Sequence, residues 1–250
     1  MDTQLNLFEN IKSHPEQSKG SLSTTQNDIA LPSARNDNVK YNSLEEAKST
    51  AMTCKKCALC NGRTNVVFSD GPEQGKNAKI MIIGEGPGEN EDIQGLPFVG
   101  RAGQLLDKIF ESVKLNRREH LYICNIVKCR PPNNRAPLEE EANACSEYLQ
   151  AQIKYIDPKI IILAGAVAIK GVLKMKDPKI TKIRGGWIDV GANHGLPLND
   201  LDRNLLLGKK IMPIFHPSYL LRHEWNTKPD SPKAMMWKDV QEIKRVFDSI

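Results

Sequence analysis

Lys79-Ile-Met-Ile-Ile-Gly84-Glu-Gly-Pro-Gly88-Glu-Asn-Glu91-Asp-Ile-Gln-Gly-Leu-Pro-Phe98-Val-Gly-Arg101 is the stretch from which the rest of the chain can be read. Ile80, Met81, Ile82 and Ile83 form a short unbroken apolar run, the pattern of a strand covered on both faces. The run breaks at Gly84-Glu85-Gly86-Pro87-Gly88, where glycine permits a tight reversal and proline stiffens it. Three acids follow, Glu89, Glu91 and Asp92; Phe98 then stands between Pro97 and Val99, and a helix is expected from near Arg101. In open α/β sheets, ligands sit against loops at the carboxyl ends of strands, so this loop reads as the floor of an active site. It is not a nucleotide cradle. The glycines lack the Gly-x-Gly-x-x-Gly spacing, no Gly-Lys-Ser/Thr follows, and the acids would repel a phosphate.

Working outward, similar apolar runs recur at Leu121–Val127, Lys159–Leu163 and Lys210–Phe215. Between them, Leu105, Leu106, Ile109, Phe110 and Val113 fit one helical face, and Leu138–Ile153 makes a second helix. The alternation predicts an α/β fold with a mostly parallel sheet and helices on both sides. Residues 180–190 read as an additional strand and 191–209 as a surface excursion, while Pro232–Phe247 closes the fold as an amphipathic helix. Ser43-Leu44-Glu45-Glu46 has the form of a capping box opening a short helix towards Cys54. Residues 1–45 are rich in Ser, Asn, Gln, Asp, Lys and Thr and are expected to be a disordered tail ahead of a folded domain spanning 46–250. Within that tail, Gln4-Leu5-Asn6-Leu7-Phe8 is a concentrated apolar patch.

The 250 residues carry 35 Lys+Arg against 30 Asp+Glu, a net charge of +5 that permits a polyanionic partner without requiring one. There is no apolar run long enough to span a membrane, and the amino terminus lacks the features of a signal peptide. A cytoplasmic location is therefore expected, where six cysteines serve better as metal ligands or free thiols than as disulfides.

Cys54 and Cys57 form a Cys-x-x-Cys pair, and Cys129 and Cys145 a wider one; Cys60 and Cys124 are the remaining two. A four-thiolate site holds either zinc or a [4Fe–4S] cluster, and spacing does not choose between them. Asn125 stands among apolar neighbours in its strand, and a buried amide must find partners. It presents a donor and an acceptor side by side, as a pyrimidine edge does. His216 follows the last strand, on the same sheet edge as Glu85 and Asn125, and three polar groups converging there mark a site.

Four ordered motifs carry a resemblance: Gly84-Glu-Gly-Pro-Gly88, Leu96-Pro-Phe-Val-Gly-Arg-Ala-Gly-Gln-Leu-Leu106, Asn125-Ile-Val-Lys-Cys-Arg-Pro-Pro-Asn-Asn-Arg135 and His216-Pro-Ser-Tyr-Leu-Leu-Arg222. From about Cys54 to the carboxyl terminus the chain resembles the family-four uracil-DNA glycosylases, the iron–sulfur members of their superfamily. The resemblance implies a three-layer αβα sandwich with a central four-stranded mostly parallel sheet. It implies a [4Fe–4S] cluster on Cys54, Cys57, Cys129 and Cys145, and a monomeric enzyme acting on uracil in single- and double-stranded DNA. It further implies that Phe98 stacks on the extruded base, Asn125 pairs with its polar edge, and His216 donates to an oxygen that becomes anionic. Glu85 and Glu91 supply carboxylates for the sugar cation and for water, and the backbone around Glu85, Gly86 and Gly88 holds the second carbonyl. Arg130, Arg135, Ser218 and Arg222 would lie against DNA, with Leu220 or its neighbours as a wedge. Outside this resemblance, the pentapeptide looks like the Gln-Leu-x-Leu-Phe motif by which bacterial repair proteins bind the sliding clamp, through Gln4, Leu5, Leu7 and Phe8.

Two other readings compete. A non-catalytic DNA-binding iron–sulfur module would need none of the set Glu85, Phe98, Asn125 and His216. A zinc-ribbon binder would account for the cysteines but leave the strand-end motifs without purpose.

Overall fold

The computed structural model describes residues 39–250, apart from 76, 192, 194, 224, 225 and 227; the Gln4–Phe8 peptide lies outside the described residues. Four strands, β1 (Ile80–Gly84), β2 (Leu121–Asn125), β3 (Ile160–Ala164) and β4 (Lys210–Ile214), pair in parallel in the order β2-β1-β3-β4. Every residue of β1, β2 and β3 is buried, which is why they read as unbroken apolar runs rather than as alternating patterns.

The helices are α1 (Leu44–Met52), α2 (Glu89–Gln94), α3 (Arg101–Glu111), α4 (Glu139–Ile156), α5 (Ala166–Leu173), α6 (Ile180–Ile183), α7 (Asp200–Leu206), α8 (Pro217–Arg222) and α9 (Pro232–Phe247). Six of them fall into two packed groups, α1, α4 and α7 in one and α3, α8 and α9 in the other. Met81, Ile83, Tyr122, Cys124, Ile161 and Leu163 share a core with Ala47, Ala51, Tyr148, Leu149 and Leu205 of the first group. Strand alternation sends Ile80, Ile82, Leu121, Ile123, Ile160 and Ile162 to the opposite face. The second group closes that side, burying Leu106, Ile109, Phe110, Val240 and Ile243. The result is a three-layer αβα fold around an all-parallel sheet.

Local signals set several boundaries as expected. Ser43 Oγ accepts from the Glu46 N–H to open α1, and Ser231 caps α9 with Pro232 in its first turn. Packed chain begins earlier than residue 46, because Val39 and Tyr41 are already buried and Tyr41 stacks on Tyr148 of α4.

Two expectations are corrected. Residues 180–190 are not a strand: they hold α6 and then a single antiparallel bridge from Ile188 to Ile211 on the free side of β4. The chain turns at Gly185 (φ +73°), while the neighbouring Arg184 is drawn into an ion pair with the buried Asp239 of α9. The 191–209 excursion is more than surface, since it carries α7, and Leu196, Leu205 and Leu206 enter the core. On the far edge of the sheet, Asp70 makes a matching single bridge to Ile123 of β2.

Candidate active site

Register brings the site together. β1 and β2 pair so that Gly84 lies beside Asn125, and β3 and β4 lead on the same edge into Gly165 and His216, which cap the helices that follow. Gly84 needs its missing side chain. A Cβ there would stand 2.4 Å from Asn125 Oδ1 and 2.5 Å from Phe98 Cζ, so the amide and the ring close over it. Gly165, at φ +92°, likewise lets the His216 side chain approach. The outcome is a cleft of about 470 Å³ whose lining includes Glu85, Phe98, Asn125, His216, Ser218 and Arg222. Gly86, Gly88, Glu91 and Arg135 also line it.

Asn125 is 2% exposed, and its Oδ1 has no hydrogen-bond partner among the described residues. Its own carbonyl is held by the buried Lys128, whose Nζ reaches Asn125 O and Gln152 Oε1 at 2.6 Å each. The Phe98 ring lies 5.7 Å from the His216 ring, tilted by 34°. At His216, Nδ1 accepts from the Ser218 N–H (3.3 Å) and lies 2.8 Å from Ser218 Oγ. That assigns the proton of the neutral ring to Nε2. Burial and then the Arg222 charge push the imidazole down to about 4, against the pull of Glu91, so at neutral pH His216 is an uncharged donor.

The two carboxylates are unequal. Glu91 Oε1 accepts from Val99 N (3.0 Å) and Gly100 N (2.9 Å), and Oε2 from Gly88 N (3.1 Å). It thereby ties the glycine turn to the loop that carries Phe98. Among the described residues Glu85 makes no such bonds, and burial raises its carboxyl above the usual range. Glu85 is the carboxylate left available to a ligand.

The outer residues also divide. Ser218 and Arg222 stand on α8 at the cleft wall. Arg135 lines the cleft, but its guanidinium forks onto Glu141 (2.7 and 2.8 Å). Arg130 binds Asn134 Oδ1 (2.9 Å) and lies 3.6 Å from Glu89, outside the cleft lining. Leu220, named with its neighbours as the wedge, is 0% exposed, because the short α8 turns that position into the core. Sequence reasoning missed Val167 and Ile180, which also line the cleft and carry no motif of their own; Tyr219, within the His216–Arg222 motif, lines it too.

Cys54, Cys57, Cys129 and Cys145 line a second, small cavity together with Cys60, Arg63, Lys128 and Tyr148. Cys124 is a buried strand residue elsewhere in the core. Arg63 Nη1 donates to Cys129 Sγ (3.2 Å) and to Cys54 O (2.8 Å), fixing the two cysteine segments against each other. Burial pushes the Cys145 thiol up to about 12 and raises Cys57 and Cys129 as well. The buried Tyr148 hydroxyl has no hydrogen-bond partner among the described residues. Among the described residues no three His, Cys, Asp or Glu side chains converge on a single ion. An all-sulfur donor set walled by three cationic side chains, Lys56, Arg63 and Lys128, suits a soft, net-negative centre.

A buried unpartnered amide, an uncharged imidazole donor and an aromatic ring at one strand edge define an α/β protein built to take a planar ligand with a polar rim. The chain belongs to the uracil DNA glycosylase superfamily, whose family model matches residues 72–241. It is 45% identical over 201 residues to a type-4 uracil-DNA glycosylase of Thermotoga maritima, covering 80% of this chain and 93% of that one. With the type-4 uracil-DNA glycosylase of Saccharolobus solfataricus it shares 49% identity over 201 residues, covering 78% and 82%. With that of Archaeoglobus fulgidus it shares 43% over 184 residues, covering 72% and 83%. Among the described residues no helix is long and apolar enough to cross a membrane.

Proposed function

We propose that this protein is a monofunctional glycosylase that extrudes uracil from single- or double-stranded DNA and hydrolyses its N-glycosidic bond, leaving an abasic site for base excision repair. The observation that carries this reading is Asn125. A buried amide oxygen without a partner is costly unless a ligand edge satisfies it, and uracil offers a matching donor and acceptor. The extruded base stacks on Phe98. As the bond from the sugar to the base nitrogen breaks, its electron pair passes to the base, and His216 Nε2–H donates to the oxygen that gains charge. Glu85 faces the sugar cation and positions the water that adds to it; Glu91 holds the loops that frame the base. Backbone around Gly86 and Gly88 takes the second carbonyl, and Ser218 and Arg222 take the DNA backbone. The test is incubation with uracil-containing single-stranded DNA followed by alkaline cleavage. Breaks are expected at uracil and not at thymine, and intact strands with well-folded, metal-loaded protein would remove the reading.

The second cavity is assigned to a [4Fe–4S] cluster on Cys54, Cys57, Cys129 and Cys145, which supplies a structural tie between segments and no step of the hydrolysis. Cys57→Ala and Cys145→Ala are expected to lose iron and solubility, and Cys60→Ala to keep both. Stoichiometric zinc without iron in anaerobically prepared protein would refute the assignment. Six free thiols suit the reducing cytoplasm, where we place the protein as a monomer.

The chain ahead of Val39 is assigned a clamp-binding peptide at Gln4–Phe8. Leu7 and Phe8 would fill an apolar pocket, with Leu5 alongside and Gln4 at its rim. A peptide of residues 1–12 is expected to bind the sliding clamp of the same organism with micromolar affinity, about −8 kcal/mol. Clamp binding that survives deletion of those residues would sink this idea.

A further inference from the structure

Phe98 holds a backbone conformation (φ +54°) that non-glycine residues keep only where their surroundings impose it. Its surroundings are identifiable. Every N–H donor of the Arg117 guanidinium is engaged: Nε with Asp107 Oδ1 (3.1 Å), Nη1 with Asp70 Oδ2 (3.0 Å) and Pro97 O (2.8 Å). The remaining nitrogen, Nη2, serves Phe98 O (2.8 Å) and Asp107 Oδ1 (2.9 Å). Two consecutive carbonyls, those of Pro97 and Phe98, thus sit in one guanidinium fork, whose direction Asp70 and Asp107 fix from the other side. The carbonyl packs directly on Gly103, where an added Cβ would lie 1.8 Å from Phe98 O, so only glycine there leaves the carbonyl this position. Beyond it, the Val99 and Gly100 amides are held by Glu91.

We propose that Arg117 is a positioning residue for base recognition: by holding the Pro97 and Phe98 carbonyls it sets the plane of the Phe98 ring. The inference rests on the reading of that ring as the surface on which the extruded base stacks. Bulk alone would not serve, because only a planar fork reaches two adjacent carbonyls and two carboxylates at once; a lysine ammonium cannot. The Arg117 side chain is 10% exposed and that of Asp70 8%, so this pair is shielded from water and from salt, with Asp107 at the outer side 31% exposed.

The test compares wild type, Arg117→Lys, Phe98→Ala and the double variant as metal-loaded full chains. Cleavage of a uracil-containing single-stranded oligonucleotide, inhibition by free uracil and thermal melting are measured for each. Arg117→Lys is expected to lower kcat/KM roughly ten- to hundredfold and to weaken uracil inhibition by a similar factor. In the Phe98→Ala background the same change should cost no further activity, while its effect on melting persists. An equal activity loss in both backgrounds, or normal kcat/KM in Arg117→Lys beside an impaired Phe98→Ala, overturns the inference alone. Unimpaired Phe98→Ala removes the stacking reading and the inference with it. Should Arg117→Lys not fold, Asp107→Asn slackens the fork from its outer side with both carbonyls in place. The same non-additivity is then expected, and simple additivity overturns the proposal.

Discussion

His216→Ala is expected to lower turnover roughly 10²- to 10³-fold while DNA binding persists, the effect of removing one donor aimed at developing charge, about 3–4 kcal/mol. The geometry makes this a loss of a neutral donor rather than of a cation. Ser218 fixes the tautomer from the Nδ1 side, and burial holds the ring's pKa near 4. The pH profile should carry the same signature. Above about pH 4 the imidazole is already uncharged, so no step is expected at the ordinary histidine value of about 6.5. An acid limb should instead come from Glu85. Its carboxyl is raised by burial, its anion is present above that value, and activity falls as pH drops through it. Glu85→Gln should erase that limb. A step near pH 6.5 that disappears in His216→Ala would contradict the assignment.

Asn125→Ala is expected to lower kcat/KM by a similar or larger factor and to weaken inhibition by free uracil in parallel, because two hydrogen bonds to the base go at once. Stability should move the other way or hardly at all. The native amide oxygen is buried and unpaired, so its removal relieves a penalty that offsets the small cavity created. Loss of activity with a melting temperature unchanged or raised marks a residue kept for its ligand. Near-normal rates in both Asn125→Ala and His216→Ala would mean that the site lies elsewhere than at these strand ends.

The sheet was legible because its strands are buried on both faces and therefore appear as uninterrupted apolar runs. The residues at their carboxyl ends, Glu85, Asn125 and His216, were legible for the same reason: polar groups at the ends of such runs stand out. The 180–190 segment misled because Ile180, Ile183 and Ile188 look strand-like, whereas the Arg184–Asp239 pair and the turn at Gly185 decide its path. The burial of Leu220 was not legible, because sequence does not reveal which side of a short helix faces inward. Glu85 and Glu91 were equivalent carboxylates until hydrogen bonding separated them. Arg117 left no signal, since in Asn116-Arg-Arg-Glu119 it reads as part of a solvated charge run and the carbonyls it holds lie some twenty positions upstream.

The single bridges flanking the sheet bear on a different matter, the hazard of self-association. Ile-Met-Ile-Ile, Leu-Tyr-Ile-Cys and Ile-Ile-Ile-Leu are segments of the kind that stack into cross-β assemblies when their edges lie open. Here Asp70 occupies the outer side of β2, and Ile188 that of β4. Pro213 of β4 has no N–H to offer a newcomer, and its carbonyl is already taken by the Gly185 N–H (2.9 Å). A sheet whose margins are closed by such small devices gives a second copy little to template on, which lets a very apolar centre exist at high local concentration without seeding fibres.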